Sequence, residues 1–239
     1  MTAMLLEADR LSKRFGGVHA LKDVNVHMQQ GETLGMIGPN GSGKTTFVNA
    51  VSGHLRPDSG SVRFDNKLVT RLQPQQLATV GLTRTFQAVR LFGSLTARQN
   101  VDTAALLIEG GGVSAAEREE LVHWLRLDGL LEKEAASLSL FEQRRLELLM
   151  RLMLKPKLIM LDEPVGGLAV SEVREMITLI EQLKSRCAIF VIEHTMRVIR
   201  ELADRVVVLV VGEKIADGPP ADILRDAQVI EKYLGSAHA

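Results

Sequence analysis

Four short, nearly unbroken apolar runs stand out along the chain: 33–37, 157–161, 188–192 and 206–210. Their lack of alternation predicts strands covered on both faces, as in a parallel sheet. The first leads into a glycine-rich turn and then a predicted helix over 44–54, stopped by Pro57. Two other segments, 24–28 and 61–65, alternate apolar and polar residues, the pattern of a half-solvated antiparallel sheet. From about Ala97 to Arg151 the chain is rich in Leu, Ala, Glu and Arg at helical spacing, with no strand pattern. Gly110, Gly111 and Gly112 interrupt it as a predicted loop, and Trp124 falls on a helical stretch as a core residue. The order predicts an α/β fold with a helical subdomain set between core strands.

Composition narrows the class. The 239 residues carry 29 Lys+Arg and 29 Asp+Glu, so no basic excess exists to neutralise a nucleic-acid backbone. The apolar runs are too short to span a bilayer, and charge near the N-terminus argues against a secretory signal. One cysteine, Cys187, excludes an intramolecular disulfide and suits a reducing compartment.

The chemistry is concentrated in a few segments. Gly38-Pro39-Asn40-Gly41-Ser42-Gly43-Lys44-Thr45 fits the G-x-x-x-x-G-K-[ST] pattern between a predicted strand and helix. Glycines there let main-chain N–H groups and a helix N-terminus surround phosphate oxygens. Lys44 is placed to reach the β- and γ-phosphates of ATP, and the Thr45 hydroxyl to ligate Mg²⁺. The strand at 158–161 ends in Asp162-Glu163. Ligands gather at the carboxyl ends of parallel strands, so these acids are expected to face the phosphates, Asp162 toward Mg²⁺ and Glu163 as a base.

With these elements in order, the chain resembles the ATP-binding subunits of ABC transporters over its whole length, most closely those of branched-chain amino acid importers. The stretches carrying the likeness include Phe15-Gly16-Gly17-Val18, Arg84-Thr85-Phe86-Gln87, Arg90-Leu91-Phe92, Glu142 to Glu147, and Ile192-Glu193-His194. The ending Gly212 to Pro219, with Tyr233-Leu234-Gly235, belongs with them. The resemblance implies a P-loop NTPase core with a mostly parallel sheet, an N-terminal antiparallel β subdomain and a helical subdomain at about 88–151. It implies that Phe15 stacks on adenine and that Gly38 through Thr46 hold the phosphates. Gln87 would touch Mg²⁺ and the attacking water, His194 the γ-phosphate, and Ser139 the ATP of an opposing subunit. Expected partners are two membrane-spanning permease subunits, a second ATP-binding subunit in a heterodimer or a homodimer, and indirectly a substrate-binding protein. The location implied is peripheral, on the cytoplasmic face of the inner membrane. Leu91 and Phe92 lie near where relatives receive a short helix from the membrane subunit, and suit docking or core equally.

Two positions depart from that family. Phe141 stands where a glycine normally permits close approach to the opposing γ-phosphate, and a benzyl group is expected to obstruct it. If that position needs φ > 0, phenylalanine adds about 1–2 kcal/mol. Ala169 replaces an Asp or Asn, losing a side-chain hydrogen bond. Ser139 with Glu142 nevertheless reads as an S-x-x-E capping box before a helix over 140–154. The expectation is an ATPase powering import. Its alternative is a nucleotide-gated structural subunit that binds ATP and dimerises but hydrolyses poorly.

Overall fold

The computed structural model describes residues 3–106 and 112–234, so Gly110 and Gly111 of the predicted loop, and Gly235, lie outside the described residues. Two sheets organise the chain. The smaller has the order β2 (Val18–Gln29), β1 (Met4–Phe15), β4 (Ser59–Phe64) and β5 (Lys67–Leu68), with antiparallel pairing throughout. β1 and β2 run well beyond the alternating segment at 24–28. Their buried residues Leu6, Ala8, Leu21, Val24 and Val26 line one face while charged residues line the other.

The larger sheet has the order β10 (Glu213–Gly218), β9 (Arg205–Val210), β3 (Thr33–Ile37), β8 (Ala188–Ile192), β7 (Leu158–Asp162) and β6 (Leu82–Arg84). All neighbours are parallel except β10, which closes the edge against β9. The four apolar runs are thus central strands, and their alternate side chains feed two separate cores. Met36, Met160 and Phe190 face the core shared with the antiparallel sheet and α1 (Lys44–Val51), where Phe47 stacks on Phe190 at 5.9 Å. Ile159, Leu161, Ile189 and Val191 face the other core, built with α5 (Leu140–Leu152), α6 (Val170–Leu183) and α7 (Met196–Leu202). A strand buried on both faces has no polar side to write into the sequence, which is why these runs show no alternation.

Between β6 and β7 the described chain is helical: α3 (Ala97–Ala105), α4 (Ala115–Trp124), two short 3₁₀ turns and α5 (Leu140–Leu152). Each of these α-helices opens on a hydroxyl cap, Thr96, Ser114 and Ser139. The Ser139 box is complete: Glu142 N–H donates to Ser139 Oγ at 3.3 Å, and Ser139 N–H to Glu142 Oε2 at 2.7 Å. Leu91 packs partly against the core while Phe92 is 57 % exposed. Trp124 is half-buried on the core, its indole N–H donating to Gln182 at 2.6 Å. α2 (Pro74–Thr79) precedes β6, and after β10 come α8 (Pro220–Ile223) and short helical turns to Leu234.

Candidate active site

Strand register builds the site. Met36 of β3 pairs with Ile192 of β8, and Ile192 also pairs with Asp162 of β7. The three strands therefore end level, and the residues that follow them (Gly38, Glu163, Glu193 and His194) emerge at one edge. β6 ends alongside, Arg84 pairing with Met160, so Thr85 to Gln87 continue to the same edge.

The loop after β3 requires glycine for steric reasons. A Cβ on Gly38 would lie 2.1 Å from the carbonyl oxygen of Leu209, and one on Gly43 would lie 2.4 Å from that of Ala20. Gly43, at φ 104°, is also the left-handed N-cap of α1, leaving the first N–H groups of that helix open toward the loop. Lys44 is buried and its ammonium donates to the carbonyls of Gly38 at 2.6 Å and Pro39 at 3.1 Å. Burial lowers its pKa, against the opposing fields of Glu163 and Asp162. The buried Ser42 hydroxyl finds no hydrogen-bond partner among the described residues. Together these make a cradle of donors with an ammonium held inside it, the arrangement that phosphate oxygens satisfy. Pro39 and Thr46 are half-buried, and Asn40, Gly41 and Thr45 are open to solvent.

Asp162 and Glu163 are adjacent in sequence but differently held. Asp162 is buried, its Oδ2 2.7 Å from Arg84 Nη2. Arg84 also donates to Asn49 and Ser52 of the α1 segment, so one guanidinium links that helix to the end of β7. Glu163 has φ 49°, a left-handed conformation costing about 1–2 kcal/mol for a residue with a Cβ. Its N–H donates to Ile192 O at 2.9 Å, and its carboxylate receives the Gln87 amide N–H at 2.8 Å. His194 Nδ1 lies 3.7 Å from Glu163 Oε1. Gln87, Glu163 and His194 thus converge from three strand ends. Thr45, Asp162 and Gln87 each carry an oxygen donor (a hydroxyl, a carboxylate and an amide oxygen), the ligand type that Mg²⁺ prefers. Phe15 is 52 % exposed at the end of β1. Ser139 caps α5 on a face that does not join this cluster by any hydrogen bond among the described residues.

Taken together, the strand–glycine loop–helix cradle, the acids ending β7 and the His194 segment already specify a nucleotide-binding ATPase fold, and the comparisons agree. The sequence profile of the ABC transporter family matches residues 21–166. The chain belongs to the ABC transporter family. A second profile, for the branched-chain amino acid ATP-binding cassette transporter, matches residues 213–239 of this ABC subunit. The high-affinity branched-chain amino acid transport ATP-binding protein BraF of Pseudomonas aeruginosa is 36 % identical over 99 % of this chain and all of its own length. LivG of Escherichia coli K12, named for the same transport role, is 35 % identical with the same coverage. Among solved structures, an ATP-binding cassette of an ABC transporter in its ADP conformation superposes with TM-score 0.86 and 28 % identity, covering 98 % of this chain and all of that one. A dimeric cassette in a post-hydrolysis state with ADP and phosphate gives TM-score 0.79 at 25 % identity, covering 90 % of this chain and 99 % of that one. This ABC ATPase accordingly binds nucleotide and couples its hydrolysis to transport. No helix among its described residues is long and apolar enough to cross a membrane.

The geometry corrects one expectation. Phe141 lies in the first turn of α5, outside the positive-φ residues, and is only 7 % exposed rather than presented on the surface. Its ring packs into the core beneath the Arg145 guanidinium, 4.5 Å from the centroid. Helical periodicity turns position 141 inward, so the expected backbone cost does not arise and the ring serves the core. Leu140 is the exposed neighbour. Ala169, by contrast, does cap α6 deficiently. Its N–H donates to Glu172 at 2.8 Å, but its methyl group has nothing with which to accept in return.

Sequence reasoning missed Arg84, Arg144 and Glu193 as members of the site. Arg84 opens the Arg-Thr-Phe-Gln phrase, and Glu193 immediately precedes His194. Glu193 is fully buried, accepts the Val165 N–H at 3.3 Å, and has its pKa raised by desolvation. A charged residue at the end of an apolar strand was the available signal.

Proposed function

We propose that this subunit powers the import of branched-chain amino acids from the cytoplasmic face of the inner membrane. In this reading it is docked on two permease subunits, paired with a second ATP-binding subunit as a heterodimer, and served by a substrate-binding protein. The substrate class is supported by the names of BraF and LivG and by the C-terminal profile. The helical segment at about 88–151 acts as a subdomain that turns against the core. Lys44 and the main-chain N–H groups of the Gly38–Thr46 loop hold the phosphates, and Phe15 stacks on the base. Thr45, Asp162 and Gln87 hold Mg²⁺, which when bound neutralises the phosphate oxygens. Glu163 accepts a proton from the attacking water, Gln87 orients that water, and His194 contacts the γ-phosphate. Ser139 serves the opposing subunit's nucleotide from the N-terminus of α5.

The observation that carries this is the convergence of Gln87 and His194 on the Glu163 carboxylate, at 2.8 and 3.7 Å, beside the phosphate cradle. Glu163→Gln in the assembled complex is expected to lower turnover at least about 100-fold while leaving ATP binding in place. Turnover at the parent rate would remove Glu163 from the chemistry. ATPase stimulation by a binding protein loaded with leucine, isoleucine or valine tests the substrate class. Its absence, with stimulation by another amino acid, would overturn that class. The poorly hydrolysing alternative is not favoured, since the full-length relatives are transport ATP-binding proteins and the Phe141 ring is buried in the core.

A further inference from the structure

We infer that Arg144 is a positioning residue that ties the helix behind Ser139 to both loops bearing the reacting groups, Gln87 and Glu163. It stands in the second turn of α5 and is buried. Its Nη2 donates to the main-chain carbonyl of Gly166 at 2.7 Å and to that of Gln87 at 3.4 Å. Gly166 closes the turn after Glu163, its N–H donating to Glu163 O at 3.1 Å. The guanidinium therefore grips the turn carrying Glu163 and the main chain of Gln87, two segments already joined by their side chains at 2.8 Å. Burial disfavours its charge, and the fields of Glu147, Glu193 and Glu163 oppose that effect. Its Nε is buried without a hydrogen-bond partner among the described residues, leaving Nη2 as the anchored end.

The direction of these bonds sets Arg144 apart from a buried cation that merely balances charge. They run to backbone carbonyls of the two loops that carry Gln87 and Glu163, from the helix whose N-cap is Ser139. A shift of α5 is thereby delivered to both loops at once, through one rigid planar group. This inference rests on the proposed roles of Glu163 and Gln87, and the readouts separate the two.

The test is Arg144→Lys in the full chain, with Arg144→Met beside it. Lysine keeps the charge and the fold but is shorter and lacks the planar fork. In the assembled complex its kcat is expected to fall about tenfold with KM for ATP within about twofold, the signature of lost positioning rather than lost binding. Hydrogen exchange of the isolated chain should quicken at 85–92 and 163–169 but not along α5. Parent-like turnover and exchange in Arg144→Lys would show that charge alone suffices and would overturn the inference, even if Arg144→Met fails to fold. If Glu163→Gln kept parent turnover, the proposed chemistry would fall, while the exchange comparison would still decide whether Arg144 holds the loops.

Discussion

Arg84→Met removes the cation from the most enclosed ion pair of the site. The side chains of Arg84 and Asp162 are 6 % and 10 % exposed and meet at 2.7 Å. Burial opposes the guanidinium charge, and Asp162 is the largest favourable influence on it. Methionine fills much of the same volume, so the loss is electrostatic more than steric. It strands the Asp162 carboxylate in a buried position and leaves Asn49 and Ser52 without their donor. Breaking a buried pair by removing one partner costs about 3–5 kcal/mol, against near neutrality when both partners are replaced together. For a chain of this length that lowers Tm by about 6–20 °C. Urea unfolding of the nucleotide-free chain at pH 7 measures the loss, and a cycle with Asp162→Asn isolates the pair. We expect a coupling of about 2–3 kcal/mol, the double variant being less damaged than the sum of the singles. A loss below about 1 kcal/mol for Arg84→Met, or additivity within about 0.5 kcal/mol, would refute the reasoning.

Phe141→Ala should destabilise by about 3 kcal/mol or more in the same unfolding assay, because the ring is part of the core. A neutral or activating outcome would return it to the partner-facing surface. Ala169→Asn supplies the missing acceptor at the start of α6 and should stabilise by about 1 kcal/mol, read as a raised Tm; no gain would mean the cap is satisfied otherwise. Glu193 has a folded pKa raised by burial, so its stabilising state is the protonated one. That contribution is complete below the unfolded value of about 4.3 and is lost as pH rises through the folded value. Glu193→Gln keeps an acceptor for the Val165 N–H and cannot ionise, so its Tm advantage should grow from pH 4.5 to pH 8. An advantage independent of pH would contradict the desolvation account.

What could be read from sequence depended on how far apart the cooperating residues lie along the chain. The phosphate cradle is contiguous: Gly38 and Gly43 are demanded by contacts within one strand–turn–helix unit, and the spacing alone exposes it. The Ser139–Glu142 box is equally local, two residues one turn apart serving each other's main chain. The apolar runs determined which strands are central, since burial on both faces removes alternation. β6 and β10 gave no such signal, being a three-residue strand and a half-exposed edge strand. Which way Phe141 points required the helix face, because one residue's rotation decides between core and surface and composition is silent on it. The pairing of Arg84 with Asp162, the meeting of Gln87, Glu163 and His194, and the reach of Arg144 to two loops join segments remote in sequence. They exist only because parallel pairing brings the ends of β3, β8, β7 and β6 level. The sequence by itself determined which groups are present and where the glycine-rich cradle lies. Strand order and register, which are long-range properties, decided which of those groups touch.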